Sequence, residues 1–446
     1  MTERDEKYVK MTTRPVEKLV RSFALPSILT MMIGSIYNLV DTFFVGQLDT
    51  QSTAALGVVF SYMGIIQAVA FFFGHGSGNY ISRALGARQD HNAETMAANG
   101  FFLSLIITGL IALACAIFIR PVLMAFGATP TVMQPAIGYF RYILLGTPFI
   151  VGSLVLNNQM RLQGNASVAV YGIMFGAVLN IGLDPIFIYL LGMGVAGAGL
   201  ATCIAQAVSF FLLIYLTGKH GGISVRIRNF KPSWAAFGEI AAGGLPSLTR
   251  QGLMCIATIC LNQCAGNYGD AALAAFSVVG RVMHLATSCV LGFGQGFQPV
   301  CGYNYGAQLY DRVRQAFRFS LIVGTAYCLL AMVAGELFAP FIITIFRTDD
   351  PEVIRIGTMA LRAQCLTFPL VSFITLTNMY LQNTRQTLPA IIVAAARQGI
   401  FIIPTLIIGL AVAGLKGVIA AQPISDVAAF LLCIPLCLRA MKKMGR

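Results

Sequence analysis

Charge is what this chain has least of. Lys, Arg, Asp and Glu make up 11% of its 446 residues, whereas a soluble domain carries about 25%. That shortage excludes a water-soluble globule of this size. Acid is scarcer than base, with 17 Asp and Glu against 30 Lys and Arg, for a net charge of +13. No H-E-x-x-H, G-x-S-x-G or Walker loop occurs, so nothing supports zinc proteolysis, serine hydrolysis or energy from ATP. The eleven cysteines lie scattered in apolar runs without a C-x-x-C pair; they read as small packing hydrophobes, Cys255, Cys260 and Cys264 included. A cleavable leader is also missing from this pattern. Residues 1–21 are mixed in charge and run straight into an apolar segment of full length, which predicts an uncleaved first helix.

What is present is hydrophobic sequence, 57% of the chain. Apolar runs lie near 19–45, 53–81, 96–119, 131–157, 167–190 and 195–217, then 237–265, 272–300, 317–345, 356–381, 388–410 and 416–438. Each is long enough for one crossing, since ~30 Å of hydrocarbon takes ~20 helical residues. The fold class is therefore an all-α polytopic membrane protein with twelve transmembrane helices. The basic residues follow topology. With the N-terminus inside, 21 Lys and Arg fall in inner segments and only Arg120, Arg347, Arg355 and Lys416 in outer ones. By the positive-inside rule both termini are cytoplasmic, in the inner membrane, and the basic balance needs no nucleic acid partner.

The chain repeats itself. Pro26-Ser27 returns as Pro246-Ser247, G-H-G-S-G at 74–78 as G-F-G-Q-G at 292–296, L-G-A-R at 85–88 as Y-G-A-Q at 305–308, and M-R-L-Q-G at 160–164 as M-Y-L-Q-N at 379–383. An offset near six helices, an even number, gives two parallel six-helix bundles related by a pseudo-two-fold axis along the membrane normal. Their expected bounds are 1–217 and 237–446, with 218–236 a cytoplasmic linker. The glycine patterns lack a preceding strand and a lysine, so they read as sites of close helix packing and not as phosphate loops.

Two carboxylates fall inside apolar runs, Asp41 and Asp184. A lone ionised Asp at the centre of a spanning helix costs roughly 2.5–3.5 kcal/mol, so such residues mark function by default. Asn180 stands one helical turn before Asp184, on the same face, and Pro185 frees the carbonyl of Ile181. From the expected topology, Asp41, Asp184 and Thr202 all lie ~7–11 Å in from the outer side. An oxygen-rich set of this kind suits a hard monovalent cation, Na+, or a shared proton. Separate packing, with each acid paired to Arg141, is the alternative.

These features together resemble the multidrug and toxic compound extrusion (MATE) family, and within it the DinF-like branch: Val40-Asp41-Thr42, Pro26, the L-G-A-R loop, Asn180 with Asp184, Thr202 and the double repeat. The resemblance implies secondary antiport by alternating access, in which a small, often amphipathic and cationic solute leaves as H+ or Na+ enters. It implies coupling through Asp41, Asn180, Asp184 and Thr202, bending of the first helix near Pro26, and a solute cavity in the N-terminal half, where Tyr37, Asn157 and Gln206 are the candidates. No enzyme activity, no cofactor and no resident metal beyond the coupling ion are expected. The partners are the solute and membrane lipid, and the protein is expected to act as a monomer.

The NorM-like branch carries acids in the seventh and tenth helices, where this chain has Gln251, Asn262, Gln263 and Asn378. The C-terminal half instead places Arg250, Arg281, Arg362 and Arg397 within helices, with Asp426 its deep acid. Buried arginines there either pair with Asp426 and helix carbonyls or meet an anionic group. The latter option supports an alternative function, a flippase for a lipid-linked anionic precursor.

Overall fold

The computed structural model describes residues 2–219, 222–346 and 350–444. Arg347 and Arg446, both counted for topology, and His220 and Gly221 of the expected linker lie outside the described residues. An amphipathic helix α1 (Glu3–Thr13) comes first. The first six long helices are α2 (Val16–Gly46), α3 (Thr50–Gly86), α4 (Asp90–Ile117), α6 (Met133–Leu162), α7 (Ala166–Pro185) and α8 (Val195–Leu216), with a short α5 (Ile119–Ala125) between α4 and α6. The second six are α9 (Trp234–Gly266), α10 (Asp270–Gly306), α11 (Tyr310–Phe346), α12 (Pro351–Asn383), α13 (Thr387–Ala395) continued by α14 (Ile402–Ala413), and α15 (Leu415–Lys443).

Twelve long helical segments were expected and twelve are found among the described residues. Eleven are long and apolar enough to cross a membrane. The twelfth, α9, has lower hydropathy because it carries Glu239, Arg250, Gln251, Asn262 and Gln263. Sequence reading missed α1 and α5, since neither has a long apolar run.

The repeat is visible in the backbone. Positive-φ residues at helix boundaries recur 220–221 positions apart: Arg88 and Gln308, Gly164 and Arg385, Gly194 and Gly414. Glycine has no Cβ to strain this conformation, while Arg88, Gln308 and Arg385 adopt it at some cost to close their helix ends. The pairing of Gly164 with Arg385 moves the match expected at 160–164 by two residues. Thus Asn157, not Gln159, corresponds to Asn378, and each donates its amide to a carbonyl of the next helix, Ala169 at 3.0 Å and Ala390 at 2.7 Å.

The chain divides into two compact units, Met1–Arg14 with Leu25–Gly244, and Pro15–Ala24 with Leu245–Arg446. This corrects the expected bounds in two places. The start of α2, as far as Ala24, belongs to unit 2, and the linker with the first part of α9 belongs to unit 1. Small residues explain both. In unit 1 a methyl group at Gly76 would strike the carbonyl of Ile240, and one at Gly244 the carbonyl of Phe72. In unit 2 a methyl at Gly296 would strike the backbone of Ala24. The glycine patterns of α3 and α10 are therefore crossings where two helix backbones touch. The linker is held to unit 1 by Asn99, whose side chain exchanges two 2.9 Å hydrogen bonds with the backbone of Lys231, and by Gln163, which accepts from the Ile223 amide at 2.8 Å.

Helix α1 docks on the same unit. Arg4 pairs with Glu94 at 2.8 Å, Lys7 donates to Asn165 at 2.7 Å, Arg88 stacks over the Tyr8 ring and Met11 is 1% exposed. Burial, then the neighbouring charges of Lys10 and Arg4, hold the Lys7 ammonium down at about 7. Docking of α1 is thus resisted by that charge at and below neutral pH and eased as pH rises from about 7 toward the ordinary lysine range.

Candidate functional site

Both acids lie in unit 1, and four helices bring their partners to them. α2 supplies Tyr37 and Asp41, one turn apart on one face; α6 supplies Tyr139, α7 supplies Asn180 and Asp184, and α8 supplies Thr202. Asp41 is 7% exposed, Asp184 is fully buried, and Asn180 and Thr202 are 1% exposed. The Asn180 amide donates to Asp184 Oδ1 at 3.3 Å and to Thr202 Oγ1 at 3.4 Å. The Tyr37 hydroxyl lies 3.3 Å from the same Thr202 oxygen. Asp41 accepts from the Tyr139 hydroxyl, which also reaches Thr202. Asp41 and Asp184 are close enough for their charges to interact.

One network therefore joins the four residues expected at a coupling site, with Tyr37 in it. Tyr139 is the member that sequence reading missed. Tyrosine in an apolar run is common, and only the packing of α6 against α8 shows where its hydroxyl ends.

Three acceptor oxygens in this network have no hydrogen-bond partner among the described residues: Asp41 Oδ1, Asn180 Oδ1 and Asp184 Oδ2. Buried acceptors are nearly always satisfied, because an unpaired one loses the full cost of its desolvation. Nor does a base compensate the acids. Arg141, the partner in the alternative reading, is exposed, and no ion pair involves Asp41 or Asp184 among the described residues. Separate pairing to Arg141 is therefore overturned. Two carboxylates with an amide oxygen form a hard donor set of the kind that suits a monovalent cation or a shared proton.

Local structure places these groups. Asp184 immediately precedes Pro185 and a single π turn, Ile186–Leu190, the kind of helix defect often found at functional positions. Tyr189 in that turn donates to the carbonyl of Phe44 at 2.7 Å and reaches Gln47 at 3.3 Å. The defect after Asp184 is thereby tied to the end of the helix that carries Asp41. Pro26 lies inside α2 just beyond the boundary between residues 24 and 25 at which the units divide.

The expected solute-cavity residues separate. Gln206 follows Thr202 by one turn on α8 and is partly buried, so it sits beside the network of which Tyr37 is a member. Asn157 is 6% exposed, and its amide ties α6 to α7 through Ala169. The same bond made by Asn378 in the other half marks a helix tie and not a solute contact.

In unit 2 the arginines also separate. Arg397 lies within a second π turn, Ala396–Ile400, and its Nε donates to Asp426 Oδ1 at 2.8 Å. Gln422 donates to that same oxygen at 3.0 Å and Thr367 to Oδ2 at 3.2 Å. Asp426 is thus fully engaged, which resolves Arg397 in favour of ion pairing. Arg281 is exposed, contrary to the expectation of a buried base. Arg362 leans on the carbonyl of Glu336. Arg250 is half-buried and has no ion-pair partner among the described residues.

Comparison with known proteins bears on the family and the fold. The MatE family model matches residues 26–186 and 246–408, one match in each half of the repeat. Multidrug export protein MepA of Staphylococcus haemolyticus is 28% identical over 435 residues, which cover 96% of this chain and 95% of that protein. The MepA protein of a Staphylococcus aureus strain is 26% identical, covering 95% and 94%. Among solved structures, a MATE protein crystallised in complex with MaL6 superposes with a TM-score of 0.92 at 27% identity over 98% of this chain and 99% of that one. A MOP superfamily transporter from Pyrococcus furiosus, described as having a binding pocket of reverse polarity, superposes with a TM-score of 0.91 at 28% identity over 98% of both chains. This chain belongs to the MATE family of membrane transporters.

Proposed function

We propose that the protein is a multidrug exporter of the cytoplasmic membrane that moves a small organic solute outward in exchange for Na+ or H+, with both termini cytoplasmic. The observation that carries this reading is the trio of unpaired buried oxygens on Asp41, Asn180 and Asp184. Such a site can bind an entering cation and so couple the ion's movement down its gradient to the conformational change that moves the solute. The names of the MepA relatives support multidrug export. Tyr37 and Gln206 beside the network are our candidates for the solute contact. The network is complete within helices of one chain, which supports a monomer as the working unit.

The test is transport by purified protein in proteoliposomes under separately imposed sodium and pH gradients, with a panel of cationic and anionic solutes. Export driven by at least one of the two gradients is expected; transport that ignores both would overturn antiport. The unpaired Arg250 favours one second reading, transport of an anionic lipid-linked precursor, and the anionic members of the panel decide it. Replacing Tyr139 with Phe removes a donor to Asp41. A hydrogen bond to a charged group contributes about 1.5–3 kcal/mol. The coupling-ion concentration for half-maximal transport should therefore shift about tenfold, falling if the ion is H+ because the lost donor favoured the ionised carboxylate, with thermal stability retained; an unchanged value removes Tyr139 from the site.

A further inference from the structure

Helices α11 and α15 of unit 2 both pack against α12. Where their basic ends meet, a cavity of about 530 Å³ remains, a volume within the usual range of ligand sites. Phe373 of α12 and Ile434, Leu438 and Met441 of α15 give it an apolar wall, and Arg314 and Arg318, one turn apart on α11, line it as well. The Arg314 side chain is 40% exposed and pairs with Asp311 at 3.1 Å, whose own side chain is 98% exposed. A pair this open to water contributes little and yields readily to another anion. Arg318 is exposed and has no partner among the described residues. The other nearby carboxylate, Glu17, accepts from Gln315 at 2.7 Å.

Unit 1 has the same packing position 220 residues earlier, and there the chain fills it. α4 and α8 pack on α6, and the linker lies along α4: Phe230 meets the Phe102 ring at 5.4 Å, Asn99 holds Lys231, and Asn229 donates to Glu94 at 3.4 Å. Glu94 and Ala98 stand where unit 2 has Arg314 and Arg318. The repeated fold thus offers one groove twice. One copy holds Glu94 already paired with Arg4 and is covered by the protein, and the other is basic and open.

We propose that the open groove binds an anionic phospholipid, with its phosphodiester between Arg314 and Arg318 and an acyl chain along Phe373, Ile434 and Leu438. Guanidinium forks match phosphate oxygens, and basic pockets between membrane helices take anionic headgroups. A soluble anion would gain nothing from the apolar wall. That wall continues into exposed membrane-facing surface, where Leu438 is 55% and Leu431 59% exposed.

The test uses full-length protein in nanodiscs of mixed phosphatidylglycerol and phosphatidylcholine, with retained lipid read by native mass spectrometry. Wild type should retain phosphatidylglycerol preferentially, and R314Q/R318Q should lower that preference about tenfold or more, as removal of two interfacial charges implies. Leu438→Trp, which fills the wall, should lower retention of both lipids. Arg318→Gln alone removes a residue with no partner to lose, so it keeps the result decidable if the double variant folds poorly. An undiminished preference in these arginine variants overturns the proposal. So does release of the bound lipid by inorganic phosphate, which would make the groove a free-anion site.

Discussion

Replacing Asp41 with Asn should abolish coupled export while leaving the protein folded. The substitution keeps the shape of the side chain and its contact with Tyr139, and it removes the charge. A cation about 4 Å from a carboxylate gains roughly 4 kcal/mol at the effective dielectric of protein sites, so binding at this position should weaken about a thousandfold. Stability should stay level or rise, because Asp41 is buried with no base beside it. Asp184→Asn should behave alike, since the two acids share one network. The measurements are gradient-driven transport in proteoliposomes and thermal unfolding in detergent. Wild-type transport by either variant would show that its carboxylate carries no coupling. Lost transport with a lowered unfolding temperature would show that the acids are structural.

The opposite pattern is expected for the buried acid of unit 2. Arg397→Met should destabilise the protein by about 3–5 kcal/mol, the usual result of leaving one member of a buried ion pair alone. Asp426 would keep Thr367 and Gln422, but two neutral donors do not replace a guanidinium. Adding Asp426→Leu in the same protein should recover most of the loss, since an uncompensated charge and not the missing bond is the larger part of it. Arg281→Met, at an exposed position, should change little. Equal unfolding temperatures for Arg397→Met and wild type would contradict the pairing.

The two units therefore use the same architectural device differently. Each has a π turn in its fifth helix next to a buried ionic group, Asp184 in one and Arg397 in the other. In unit 2 the charge is met by a fixed counter-charge and closed. In unit 1 two acids share one network with neutral donors and no ion-pair partner among the described residues.

Much of this was legible in the sequence for simple reasons. A spanning helix needs one long apolar run, so twelve runs predicted twelve helices, and a carboxylate inside such a run is conspicuous. Asn180 and Asp184 lie on one helix, where a spacing of four fixes their common face. The sequence could also show that the glycines of 74–78 and 292–296 favour close packing. Helix α1 and Tyr139 were not legible, since a mixed-charge helix and a tyrosine in an apolar run each have many ordinary explanations.

Composition and periodicity thus determined the membrane class, the repeat and the two acids, because each depends on local free energies of burial that every residue carries with it. Which side chains meet depends on how helices pack, and that only the tertiary structure decided. It placed Tyr139 against Asp41, turned Arg141 and Arg281 outward, closed Arg397 onto Asp426, and committed Asn157 to a helix tie. It also assigned residues 15–24 and 237–244 to the units opposite those expected and joined the linker to unit 1, because backbone contact at Gly76, Gly244 and Gly296 is a relation between helices that no single segment encodes.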